Sequence, residues 1–93
     1  MSMTEVSRTV LIRNKLGLHA RAATKLAKLA SQFDAKITIG QGEKSVDASS
    51  VMGLMLLASQ QGKEISVKAV GPDAEQALDA VTQLIYDRFD EDE

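Results

Sequence analysis

The stretch NKLGLHARAATKLAKLASQF, residues 14–33, changes its period partway along, and that change decides the fold. Asn14-Lys15-Leu16-Gly17-Leu18 breaks the β-branched run that precedes it. Gly17 can take backbone angles closed to other residues, which suits a tight loop. From Ala22 onward, Ala22, Leu26, Leu29, Ala30 and Phe33 fall on one face at helical spacing. Alanine and lysine are good helix formers, and the spacing predicts a helix from about Ala20 to Gln32. His19, the one histidine in the chain, stands at the junction of loop and helix.

Upstream, Val6 to Arg13 is rich in β-branched residues and reads as a strand. Downstream, Ala35, Ile37 and Ile39 alternate with Lys36 and Thr38, as in a half-buried strand. Gly40-Gln41-Gly42 makes a turn, and Glu43 to Asp47 supplies the partner strand of a hairpin. Ser49-Ser50 can cap a short helix from about Val51 to Ala58. Ile65, Val67 and Ala69 alternate with Ser66 and Lys68, giving a fourth strand that Gly71-Pro72 ends. Asp73, with Gln76 three residues on, reads as a capping box. It opens a third helix whose apolar face is Ala77, Leu78, Val81, Leu84 and Ile85, and which runs to about Arg88. The order is βαββαβα. The expected class is α+β, with a four-stranded antiparallel sheet, three helices on one face and the other face wet.

Ninety-three residues, 44% of them apolar, suffice for one domain spanning 1–93, with residues 1–4 and 90–93 read as frayed ends. Cysteine is absent, which excludes disulfides and thiolate metal sites and fits a reducing, cytoplasmic setting. One histidine without cysteine makes no zinc site. The net charge of −2 argues against nucleic acid as a partner. The longest apolar stretch, Val51 to Ala58, is far short of the ~20 residues of a membrane span. No P-loop precedes a helix. No cofactor and no oligomer are expected.

A lone histidine is more often structural or simply solvated than functional, but three features of its surroundings change the balance. A helix start offers backbone N–H groups and positive potential to an anion carried on His19, and a neutral imidazole is a nucleophile. Arg21, a cation in the first turn, opposes the helix dipole. A phosphate beside it would reverse that sign, because guanidinium pairs well with phosphate oxygens. Arg21, Lys25 and Lys28 form a stripe that is either a solvated face or a docking surface for an acidic partner. In the second helix the apolar residues point all around, so Met52 and Met55 are expected at the surface, unless tight packing buries them all. Ser50 reads plainly as the N-cap of that helix. A phosphate there would also meet a favourable dipole, while placing charge beside Met52 and Met55.

Gly17-Leu18-His19-Ala20-Arg21-Ala22-Ala23 resembles the active-site loop of HPr, the histidine phosphocarrier family of the bacterial phosphotransferase system. Ser50-Val51-Met52-Gly53-Leu54-Met55 resembles that family's regulatory serine segment, and the likeness runs in one register from about Glu5 to Phe89. It implies an open-faced β-sandwich and a carrier rather than an enzyme. His19 would take a phosphoryl group on Nδ1 from enzyme I and pass it to an enzyme IIA-type protein. It also implies that Arg21 stabilises the transferring group and that Gly17, Leu18 and Ala20 complete the phosphate-cradling loop. Thr24, Lys25, Lys28, Val51, Met52 and Met55 would dock the partners, and Ser50 would match the site of HPr kinase/phosphorylase. Ala22 stands where the family usually has proline, giving up some pre-organisation of the first turn, and Ala58 where many members carry glycine. Asn14 to Arg21 and the ending from Arg88 look more like NPr, the nitrogen-branch relative, and proteobacterial HPr. Two rival readings are a purely regulatory module of the same fold, working through Ser50 and the Met52/Met55 surface, and a domain that senses a small molecule.

Overall fold

The computed structural model describes residues 4–57 and 61–90. The elements are β1 (Glu5–Leu11), α1 (Ala20–Ala30), β2 (Lys36–Gln41), β3 (Lys44–Asp47), α2 (Val51–Leu56), β4 (Glu64–Val70) and α3 (Ala74–Tyr86), followed by a 3-10 turn at Arg88–Asp90. The βαββαβα order read from the sequence is the order observed. The sheet runs β1-β4-β2-β3 with every neighbouring pair antiparallel.

The strand with the cleanest alternation takes the centre. Ile65, Val67 and Ala69 of β4 are buried while Glu64, Ser66 and Lys68 are exposed, so one face of the sheet meets the helices and the other meets water. On the buried face, Val67 pairs in register with Ile39 of β2 on one side and Arg8 of β1 on the other. Arg8 lies between half-buried Val6 and Val10. Its guanidinium reaches α3, donating to Thr82 Oγ1 at 2.9 Å and pairing with Asp79 at 3.2 Å. Leu26 of α1, Leu54 of α2 and Val81 and Ile85 of α3 close over Ile39, Ile65 and Val67. Each fully buried aliphatic side chain contributes about 1.5–3 kcal/mol relative to exposure.

Two expectations at the ends of α3 are corrected. Asp73 occupies the N-cap position, but its side chain makes no cap bond, so the capping box with Gln76 does not form. Its Oδ2 instead accepts from the backbone N–H of Asp34 at 2.8 Å, while Asp73 N–H donates to the Asp34 carbonyl at 3.1 Å. This reciprocal pair ties the lead-in to β2 to the start of α3. It brings the chains so close that a Cβ on Gly71, whose φ is +138°, would lie 2.9 Å from the Asp34 carbonyl oxygen. At the other end, α3 stops at Tyr86 rather than running to Arg88. Arg88 and Phe89 take φ of +58° and +56°, and the chain turns back so that the Phe89 ring is 0% exposed. The ending therefore contributes the largest fully buried side chain of the described residues, one residue before the stretch read as frayed. The predicted end of the second helix, Ala58, lies outside the described residues.

Candidate functional site

His19 is the N-cap of α1, with extended backbone angles (φ −78°, ψ 178°). Its carbonyl accepts the first helical bond, from Ala23 N–H at 2.8 Å. Its ring nitrogen Nδ1 accepts from Arg21 N–H at 3.3 Å. A nitrogen that accepts carries a lone pair, so the proton of the neutral ring sits on Nε2. The nucleophilic lone pair thus faces the N–H groups of the first turn, the place a helix start prepares for an anion.

The loop before His19 is pinned. Asn14 is fully buried, and its Nδ2 donates to the Gly17 carbonyl at 2.8 Å. Gly17 N–H returns a 3.2 Å bond to the Asn14 carbonyl. The tight turn expected at Gly17 forms with φ of +65°, which glycine adopts at little cost. Leu18 is in the core, and Leu16, 68% exposed, stands at the tip of the turn. The sequence pattern marks Asn14 only as part of a strand break. The signal that points to it is that asparagine side chains habitually bond backbone groups of their own turn.

Beyond His19, Ala20 is exposed and Ala22 and Ala23 are buried under the first turn. Arg21 is exposed, no acidic residue shares the first turn, and its guanidinium pairs with no carboxylate among the described residues. Thr24 is exposed, but its hydroxyl turns back to the Ala20 carbonyl at 2.7 Å. Lys25 departs from the simple polar stripe. Half-buried, its ammonium donates to the Phe89 carbonyl at 2.8 Å and so joins α1 to the C-terminal turn. Lys28 is exposed in the last turn, where a cation suits the helix dipole. Replacing Arg21 by alanine should raise melting temperature slightly or leave it unchanged, since a dipole-opposed cation is lost. If Arg21 stabilises a transferring phosphoryl group, as the family resemblance implies, the same change should lower kcat/KM for phosphoryl transfer by about ten- to a hundredfold, the cost of a charge-assisted hydrogen bond of ~1.5–3 kcal/mol. Stopped-flow transfer and thermal melts on the same samples check both halves. A lower melting temperature with unchanged transfer would count against the role given to Arg21.

α2 lies beside α1. Ser50 is its N-cap, with Oγ accepting from Gly53 N–H at 3.0 Å. The approach to it is fixed by Asp47, whose Oδ1 accepts from Ser49 Oγ at 2.6 Å and Ser49 N–H at 2.8 Å. These bonds hold the Asp47 carboxyl below the usual carboxylate range, with Lys36 adding a smaller pull in the same direction. Val51 is half-buried and Leu54 buried, while Met52 is 72%, Met55 45% and Leu56 73% exposed. The methionines are therefore at the surface, as the all-round pattern implied. Leu56 extends their patch and was not singled out in the sequence. No group of three or more His, Cys, Asp or Glu able to hold a metal occurs among the described residues. No helix among them is long and apolar enough to cross a membrane.

Comparison with known proteins agrees with this geometry. Residues 6–87 match the family described as the PTS HPr component phosphorylation site. The chain is 58% identical over 89 residues to phosphocarrier protein NPr of Shewanella violacea, covering 96% of this chain and 98% of that one. It is 47% identical to NPr of Escherichia coli K12 over 94% of this chain and 98% of the relative. Its fold superposes on a crystal structure of HPr from Thermoanaerobacter tengcongensis with a TM-score of 0.90 at 39% identity, over 95% of this chain and 99% of the other. The chain belongs to the HPr family, the phosphocarrier proteins that relay phosphate through a histidine in the phosphotransferase system.

Proposed function

We propose that His19 is the phosphoryl acceptor, charged by enzyme I at the expense of phosphoenolpyruvate and discharged to an enzyme IIA-type domain in the cytoplasm. The observation that carries this is the Nδ1 lone pair of the chain's single histidine, held 3.3 Å from the Arg21 N–H at the start of α1. In the transfer, Nδ1 forms a bond to phosphorus while the donor's bond to the same phosphorus breaks and the donor keeps that electron pair. Nδ1 carries no proton to lose, and the Nε2 proton stays in place. The Arg21 N–H gives up the ring nitrogen and takes a phosphate oxygen instead, with the Arg21 guanidinium alongside. The carrier needs no metal for this. The chain relays the group and regenerates its own imidazole, so it acts as a protein substrate.

The experiment is intact mass after incubation with phosphoenolpyruvate, Mg²⁺ and enzyme I, read before and after brief acid, with fragmentation to locate the group. One acid-labile phosphoryl group on His19 supports the reading. No added mass, or an acid-stable group elsewhere, overturns it. The identities to two NPr proteins, 58% and 47% against 43% for HPr of Cupriavidus necator, favour the nitrogen branch. Faster charging by nitrogen-branch enzyme I than by its sugar-branch counterpart would agree.

The partners dock on Lys28, Met52, Met55 and their neighbours Thr24, Lys25 and Val51, and phosphorylation of Ser50 regulates that docking. Ser50→Asp should fold normally, because aspartate caps as well as serine does. It should accept phosphate about tenfold more slowly at low salt, with the difference shrinking as salt screens it. Equal rates at low salt would remove Ser50 from the docking surface.

A further inference from the structure

We propose that Asn14 is a positioning residue for phosphoryl transfer, fixing the peptide between Gly17 and Leu18 and through it the placement of the His19 ring. The proposal rests on His19 being the acceptor.

Asn14 is 0% exposed. A buried amide is costly unless it is bonded, and Asn14 Nδ2 donates to the Gly17 carbonyl at 2.8 Å. The Asn14 carbonyl meanwhile holds the Gly17 N–H at 3.2 Å. Gly17 is therefore gripped by both of its peptide groups, at a position whose φ of +65° glycine would readily leave. Because the peptide is planar and trans, fixing the Gly17 carbonyl also fixes the direction of the Leu18 N–H on its far side.

The surrounding bonds make Asn14 the pivot of the loop. Before it, Ile12 N–H bonds the Lys63 carbonyl and Gly62 N–H the Ile12 carbonyl, both at 2.9 Å, and Gln61 Nε2 donates to the Arg13 carbonyl at 3.1 Å. After it, Leu18 is anchored in the core and His19 in the helix cap. Lys15 and Leu16 are exposed. Between these two anchored ends, the buried Asn14 side chain closes the turn on itself through the Gly17 carbonyl. In-line transfer between two proteins tolerates little misplacement, and an error of about 1 Å can cost about a hundredfold in rate.

The test uses the full-length chain as substrate of enzyme I. Asn14→Ala removes the donor, Asn14→Asp replaces it with an acceptor of the same size, and Val81→Ala in α3 serves as a control that loses stability away from the loop. All are compared at a temperature where backbone amide spectra show them folded. Both Asn14 variants should lose about tenfold or more in kcat with KM close to native, while Val81→Ala keeps its kcat. Native kcat in a folded Asn14 variant, or an equal loss in Val81→Ala, would overturn the proposal. If neither Asn14 variant folds, the native chain decides. Its Asn14 side-chain amide resonances should shift when His19 is phosphorylated, and no shift would overturn the proposal. Phosphate found elsewhere than His19 on the native chain would instead overturn the reading beneath it.

Discussion

A His19→Ala chain should keep its fold and take up no acid-labile phosphate. The two effects have separate causes. The ring is half-buried at the surface rather than in the core, so its loss opens no interior cavity. The fold loses the cap bond from Arg21 N–H to Nδ1. A missing side-chain cap costs about 1 kcal/mol, which for a domain of this size is a fall of about 4–8 °C in melting temperature. What the chemistry loses is the only imidazole in the chain. No remaining side chain offers an uncharged nitrogen lone pair at the start of α1, so the loss is complete. His19→Asn separates the two effects further. Asparagine is among the preferred N-caps, so this variant should melt at or above the native temperature and still accept nothing. Intact mass and thermal melts on both variants provide the check. Acid-labile phosphate on His19→Asn would sink the assignment of His19, whatever the melts show.

The features legible in the sequence were those that each element's own pattern encodes. The shift from alternation to helical spacing near Ala20 placed α1, and the alternation of Ile65, Val67 and Ala69 placed the central strand. Gly17 follows from the turn it has to make, and Met52 and Met55 follow from an apolar excess that a short helix cannot hide. The features not legible depend on partners distant in the chain. Asp73 and Gln76 satisfy a local capping rule, but the Asp34 N–H, 39 residues away, takes the Asp73 carboxylate instead. Lys25 has the spacing of a solvated stripe, yet its partner is the Phe89 carbonyl 64 residues on. Phe89 stands between the expected helix end at Arg88 and the acidic stretch 90–93 read as frayed, and nothing in its own window marks it as core. Only the assembled core shows the space that its ring fills. At the site the same division holds. His19 and Arg21 announce themselves through position and charge, whereas the full burial of Asn14, whose bond to Gly17 is local, is set by the assembled core.

Phe89→Ala should be the most destabilising single change among those considered. Truncating a fully buried phenylalanine costs about 3–5 kcal/mol, against a total of about 5–15 kcal/mol for a domain of this kind. The melting temperature should fall by about 15–30 °C. The ring also sustains an unfavourable backbone. Arg88 and Phe89 are consecutive non-glycine residues at positive φ, a conformation costing about 1–2 kcal/mol per residue. Burial of the ring and the 2.8 Å bond from Lys25 to the Phe89 carbonyl offset that cost. Without the ring, the turn at Arg88–Asp90 loses its reason to fold back, and Lys25 loses the carbonyl it holds. Phe89→Leu, which keeps an apolar anchor, should cost markedly less. Denaturant melts of both variants, with slopes compared to native, give the test, and a midpoint for Phe89→Ala near the native value would refute the account. The chemistry should respond differently. The Arg21 N–H to Nδ1 bond and the Asn14 to Gly17 bond do not involve Phe89, whose carbonyl is held by Lys25 further along α1. Phe89→Ala held at a temperature where it is folded should therefore still take acid-labile phosphate on His19. A change in KM rather than kcat would mark Lys25, released from the carbonyl, as the link between the C-terminal turn and the docking face.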